Sequence, residues 1–116
     1  MSCVLRISAA TVPAGELVPY RVEGGIAHFE VSSAAFNDLA RQVADAVALL
    51  QSNDGQLRQL LTQPGASGVL DFAIEWRDVA VQSDTFPAQL VRAAGSLGLS
   101  LEFSHYPKAK EPGAEA

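Results

Sequence analysis

Two histidines and a single cysteine are the residues of this chain best suited to catalysis or metal binding. His28 stands two residues before Glu30, and this spacing on a β-strand puts both side chains on one face, where they would form a charge pair or orient the imidazole. No HxH, HxxxH or HExxH spacing occurs, so the sequence predicts no metal site. Cys3 alternates with Leu5 and Ile7, which places its thiol on an apolar face where it would be inert. We therefore assign no catalytic residue and no cofactor.

A second group of candidates lies at the ends of two predicted strands. Arg77 and Asp78 follow Trp76, and His105 and Tyr106 close the last strand. Around one cleft, these four polar residues would serve a small enzyme or ligand-binding domain, with His105 as a general base or ligand. The structural alternative is an ion pair between Arg77 and Asp78 and an edge contact by His105 and Tyr106.

Carboxylates on the polar faces of the predicted strands form a third group. Their members are Glu30, Asp71, Glu75 and Glu102, and Arg6, His28, Arg77 and Ser104 share the same predicted face. Asp71 and Glu75 would lie about 13 Å apart, too far for a carboxylate pair that flanks one bond, which needs roughly 5–9.5 Å. This face is therefore either a solvated surface with weak ion pairs or a docking face for a basic partner or a second copy of the chain.

Length and charge exclude several function classes. The chain has 116 residues, which indicates one domain, and we expect residues 1–106 to form it and residues 107–116 to be a disordered polar tail. Eight Lys and Arg against 13 Asp and Glu give a formal charge of −5, which disfavours binding to nucleic acid or to an anionic membrane. We expect no secretory signal, and a lone cysteine fits a reducing compartment, so the predicted location is cytoplasmic.

Hydrophobic periodicity predicts the elements that position these residues. The predicted strands cover residues 3–8, 27–31, 70–77 and 99–104, with a short strand at 20–22 and a possible extension at 79–81. We expect one helix to begin after an N-cap at Ser32-Ser33 and to bury Phe36. A shorter helix follows Asn53, which stands at capping-box spacing from Gln56, and a third begins near Pro87 and ends at Gly98. Trp76 is expected in the core because it shares the phase of Ile74 on the clearest strand.

The pattern predicts an α+β fold. Each strand has one apolar face, whereas strands covered on both faces would be apolar throughout. We therefore expect a two-layer sandwich, with an approximately four-stranded mixed sheet and helices on one face, as a variant of the ferredoxin-like arrangement. The strand order stays open.

Several local motifs occur together along the chain. Pro19-Tyr20-Arg21 precedes the first long helix, and a Leu-Asp-Phe-x-Ile-Glu-Trp strand, a Phe-Pro-x-x-Leu-Val segment and a closing Gly-x-Leu-Gly-Leu-x-Leu-Glu-x-Ser-His-Tyr segment follow it. This pattern resembles the DUF4279 group of bacterial domains of unknown function over most of residues 3–106. The chain departs from the group where a short Pro-Gly segment replaces a first helix. The resemblance implies a small bacterial intracellular α+β domain and transfers no catalytic residue and no cofactor.

Three hypotheses about function follow. The leading one is a non-enzymatic protein-binding module that uses its acidic sheet face, such as an immunity protein or antitoxin that neutralises a basic toxin. The second is a ligand-binding domain or enzyme with a cleft around His105, Tyr106, Arg77 and Asp78. The third is a homodimer that pairs exposed sheet faces or edges.

Overall fold

A computed structural model describes residues 1–108 and shows five strands and three helices among them. The strands are β1 (Cys3–Ser8), β2 (Arg21–Glu23), β3 (Ile26–Ser32), β4 (Ser67–Trp76) and β5 (Leu99–Pro107). The helices are α1 (Leu39–Ser52), α2 (Asp54–Leu61) and α3 (Ala88–Ser96). Most of the predicted tail at residues 107–116 lies outside the described residues, and Pro107 itself ends β5.

The strands form one mixed sheet in the order β2-β3-β1-β4-β5. β1 is antiparallel to both of its neighbours, and β5 is parallel to β4. Gly24 and Gly25 join β2 to β3 with φ of 60° and 79°, the two positive values that a two-residue hairpin turn of type I′ requires. The parallel pair needs a long crossover, which α3 supplies. The sheet thus has one strand more than the approximately four predicted.

The apolar faces of the strands meet the apolar faces of the helices in one core, which confirms the two-layer α+β sandwich. Leu5, Phe29, Leu70 and Phe72 are fully buried from the sheet side, and Leu57, Leu60 and Leu90 from the helix side. Gly98 follows the last helix with φ of 73°, as the predicted C-terminal glycine. The opposite face of the sheet has no helix over it in the described part of the chain.

The predicted start of the first helix is wrong. Ser32 remains in β3, where its hydroxyl donates to Asp45 of α1 at 2.6 Å. Asp38 is the actual N-cap, because its carboxylate accepts the Arg41 backbone N–H at 3.2 Å. Phe36 consequently precedes the helix and is half-exposed instead of buried.

The predicted burial of Trp76 is also wrong. The residue shares a face with Ile74 but is 38% exposed, and its ring packs edge-on against His105 with centroids 6.2 Å apart. Alternation predicts which face a side chain occupies, but not how far along a strand the helix layer extends. Residues 79–81 do not extend β4, since Asp78 adopts a left-handed φ of 56° just after the strand ends.

Two glutamines attach the irregular segment before β2 to the helix layer. The Gln56 side chain accepts the Leu17 backbone N–H at 3.1 Å and donates to the Leu17 carbonyl at 2.8 Å. Gln63 makes the same pair of bonds to Thr11, at 3.1 and 2.8 Å. Each side-chain amide thus makes the two backbone hydrogen bonds that a neighbouring strand would otherwise make to that residue. Gln56 therefore does not complete the predicted capping box with Asn53, whose side chain donates to Leu49 instead.

We expect Gln56→Ala to lower the free energy of unfolding by about 1–2 kcal/mol, because two part-buried backbone groups lose their partner. Gln59→Ala on the exposed side of the same helix is the matched control, with an expected change within about 0.5 kcal/mol. Urea unfolding followed by circular dichroism measures both. Equal effects of the two substitutions would show that the amide does not hold the segment.

Candidate functional site

The side of the sheet opposite the helices, here called the open face, carries most of the predicted site residues. Residues directly opposite one another on paired strands share a face. One row across the sheet consists of Glu30, Val4, Asp71 and Glu102, and the adjacent row of Arg21, His28, Arg6, Val69 and Ser100. The four carboxylates predicted for partner binding therefore lie on one face, since Glu75 follows Asp71 at the same phase of β4.

Arg6 ties three strands together across the open face. Its Nη1 donates to Asp71 Oδ2 at 3.0 Å and its Nη2 to Glu102 Oε2 at 2.6 Å. Ser104 completes the arrangement by donating its hydroxyl to Asp71 Oδ1 at 2.8 Å. Burial opposes the charge of Arg6, but the hydrogen bonds to both carboxylates outweigh burial and raise the pKa of the guanidinium. The centre of the face is thus a satisfied polar network that links β1, β4 and β5.

His28 is nearly buried between two arginines of the open face. Its Nε2 lies 3.4 Å from Arg21 Nη2, and Arg6 is its neighbour on the other side. Burial, followed by the charges of Arg21 and Arg6, lowers the pKa of His28 below 6.5. This shift favours the neutral imidazole near pH 7. The Nε2 atom of His28 therefore contacts Arg21, whereas the sequence predicted a pair between His28 and Glu30.

Two of the carboxylates are available to a partner. Within residues 1–108, Glu30 and Glu75 take part in none of the ion pairs, whereas Asp71 is only 16% exposed beneath Arg6. Glu102 is half-exposed although it contacts Arg6. The accessible negative charge thus lies at the exposed Glu30 and Glu102 and at the partly buried Glu75, and not at Asp71.

An aromatic pair borders Glu75 on the open face. Tyr106 lies opposite Glu75 on β5, and its ring centroid is 5.2 Å from that of Phe36. The Glu75 backbone N–H donates to the Phe36 carbonyl at 3.3 Å, which lays the segment before α1 alongside β4. Both rings are half-exposed. Phe36 was not predicted at this site, because its spacing is that of the first residue in the apolar stripe of a helix.

The residues of the hypothetical cleft point in different directions. His105 and Tyr106 are consecutive on β5, so His105 contacts Trp76 on the helix side while Tyr106 lies on the open face. Arg77 pairs with Asp84 at 3.5 Å instead of Asp78, and lines a cavity of about 60 Å³ with Phe36 and Glu75 among its walls. The structure therefore brings Arg77 close to the aromatic pair but does not gather the four residues around one cleft.

The remaining candidates can be placed as well. Cys3 is fully buried, and burial, followed by the charges of Asp71 and Asp45, raises the pKa of its thiol. Residues 1–108 contain no group of three or more His, Cys, Asp or Glu side chains that could hold a metal ion. No helix in this part of the chain is both long enough and apolar enough to span a bilayer.

Comparisons with protein-family models, with curated proteins and with solved structures found no match to this chain.

We expect Arg6→Ala to destabilise the protein by about 1–2 kcal/mol, because it leaves Asp71 largely buried without its cation. Arg41→Ala is the control, since the Arg41 side chain is 70% exposed and its 3.8 Å pair with Asp45 on α1 contributes less than about 0.5 kcal/mol. Urea unfolding of the two variants beside the wild type gives both values. A loss no larger for Arg6 than for Arg41 would contradict the proposed network.

We expect stability to fall as the pH drops below about 6.5, because the unfolded chain takes up a proton on His28 before the folded protein does. This contribution is complete above pH 6.5 and is lost progressively below it. His28→Gln removes the titrating group, so unfolding midpoints at about pH 8 and pH 5 should differ less for this variant than for the wild type. An equal pH dependence of the two proteins would show that His28 does not titrate in this way.

Proposed function

We propose that this protein is a non-enzymatic binding module whose open face docks a basic surface of another protein. The observation that supports this proposal is a sheet face that no helix of residues 1–108 covers, on which the partly buried Glu75 borders a half-exposed aromatic pair. The exposed Glu30 lies on the same face. The partner is defined by its chemistry as a surface that presents Arg or Lys side chains.

The charge balance of the open face favours a basic partner. Its strands carry five carboxylates, Glu23, Glu30, Asp71, Glu75 and Glu102, and two guanidiniums, Arg6 and Arg21, a formal charge of −3. The neutral His28 adds no positive charge. The whole chain, at −5, would add a long-range attraction that speeds encounter with a cationic surface.

Tyr106 and Phe36 supply the apolar contacts that such an interface needs. Aromatic side chains dominate binding energy when a partner excludes water around them, and charged contacts at the rim add orientation. An incoming guanidinium that pairs with Glu75 would lie beside the Tyr106 ring, where a cation–π contact is favourable. Glu75 and Tyr106 are therefore the residues we expect to contribute most to affinity.

The proposal accommodates a more specific biological role. An immunity protein or antitoxin that neutralises a basic toxin would bind through such a face. We also infer a cytoplasmic location, since the lone thiol of Cys3 is suited to a reducing compartment.

We expect Glu75→Lys and Glu30→Lys each to reduce partner capture at least tenfold, because each places a cation against a cationic surface. Purified wild-type and variant proteins are immobilised, exposed to lysate of the source cells and analysed by quantitative mass spectrometry. The captured protein should present a basic surface, and its capture should weaken as salt increases.

Glu16→Lys makes the same charge change in the segment before β2, away from the open face, and should leave capture unchanged. Asp71→Lys is unsuitable for this test because Asp71 holds Arg6 and Ser104, so its loss would disturb the fold. Equal capture by all four proteins, or a partner with an acidic surface, would contradict the proposal.

A further inference from the structure

The outer edge of β5 is the longest exposed strand edge in the described part of the chain. The sheet order places β5 at one end, where it pairs with β4 alone along nine residues. The other end of the sheet is β2, which has only three residues. An edge strand presents a row of unpaired backbone N–H and C=O groups, and proteins usually keep such edges short or protected. β2 follows that rule and β5 does not.

Side chains on β5 do little to protect this edge. The strand contains no lysine, and its only proline is its last residue, Pro107. Its one carboxylate, Glu102, is held by Arg6 on the open face. Apart from Glu102, the residues that normally prevent edge-to-edge pairing are thus missing from the middle of β5.

An aromatic cluster on the helix side ends abruptly at the same edge. Phe103 stacks on Phe86 with centroids 4.4 Å apart, and Phe72 lies 6.3 Å from Phe103 and 5.3 Å from Phe86. Phe72 is fully buried, whereas Phe103 remains 42% exposed. A neighbouring strand that supplied an apolar residue here would continue the cluster and bury its last ring.

We propose that the occupant of this edge is a second copy of the chain, which pairs its own β5 antiparallel to the first across a two-fold axis beside Phe103. This register overlaps all nine residues of both strands, since Leu99 then lies opposite Pro107 of the second copy. Phe103 lies opposite Phe103, so two aromatic clusters join into one.

The charge pattern of β5 selects this register over its neighbours. In this register Glu102 lies opposite Ser104 of the second copy, so no two like charges face each other. A shift by two residues in one direction would place Glu102 opposite Glu102, a destabilising pair. The opposite shift reduces the overlap to residues 101–107. A shift of the register by one residue is excluded because successive side chains alternate between the two faces of a strand. Such a shift would join the polar face of one sheet to the apolar face of the other.

The dimer would have a continuous ten-stranded sheet. A two-fold axis perpendicular to the sheet keeps both open faces on the same side, so the two acidic faces would form one larger surface. This inference does not depend on the proposed function, because Phe103 faces the helix side and Glu30 and Glu75 lie on the open face. Either proposal can therefore fail without the other.

Sedimentation velocity of the full chain tests the dimer over concentrations from about 1 µM to 1 mM, the range of weak to moderate affinities. We expect the wild type to form dimers within this range and Phe103→Lys to remain monomeric. Val91→Lys is the matched control, because Val91 is 49% exposed on α3 and the same change there should leave dimerisation intact. Circular dichroism establishes that each variant is folded.

Cysteine cross-linking tests the register and does not rely on the lysine variant. A short bis-maleimide should link Phe103→Cys to itself but not Tyr106→Cys, since the two Tyr106 positions would be about 20 Å apart along the paired strands. The buried Cys3 thiol contributes little background. A wild type that stays monomeric throughout, or cross-linking of Tyr106→Cys as fast as Phe103→Cys, would overturn the proposal.

Discussion

The guanidinium of Arg6 determines the character of the open face. No helix covers this side of the sheet in the described residues, so its carboxylates have to be satisfied by side chains of the sheet itself. Arg6 on the central β1 meets Asp71 of β4 and Glu102 of β5, and Ser104 occupies the remaining oxygen of Asp71. The carboxylates at the centre of the face are consequently paired, and their role is structural. The charge that remains for recognition lies toward its periphery, at Glu30 and Glu75.

The sequence is sufficient to predict the layers, because alternation determines which side chains share a face. Cys3, Leu5 and Ile7 are buried and Arg6 is on the open face, as period-two patterning requires. The pattern also places Asp71 with the other carboxylates. It could not predict that Asp71 would be largely buried, because this depends on the strand order that brings β1, β4 and β5 side by side. Strand order comes from long-range packing, which one sequence does not display.

Errors in the prediction have a common physical origin, since long-range contacts replaced the local ones that the sequence suggested. Gln56 stands at capping-box spacing but binds the backbone of Leu17, 39 residues away in the chain. Phe36 has the spacing of a helical stripe, yet its segment lies along β4 and its ring pairs with Tyr106. Trp76 lies on the predicted face of β4, but too few residues pack over it to bury its ring. Periodicity therefore did not reveal Phe36 as part of the candidate site, whereas the sequence did indicate Tyr106 and the carboxylates.

Carboxyl footprinting of the protein alone and in complex with its captured partner tests most directly whether the open face is the docking surface. A carbodiimide couples an amine to accessible carboxylates, and mass spectrometry then reports the extent of labelling at each residue. Our account predicts that complex formation protects Glu30 and Glu75 and leaves Glu16 and Asp54 labelled as before. Protection of Glu16 or Asp54, with Glu30 and Glu75 unchanged, would place the partner elsewhere and contradict the account.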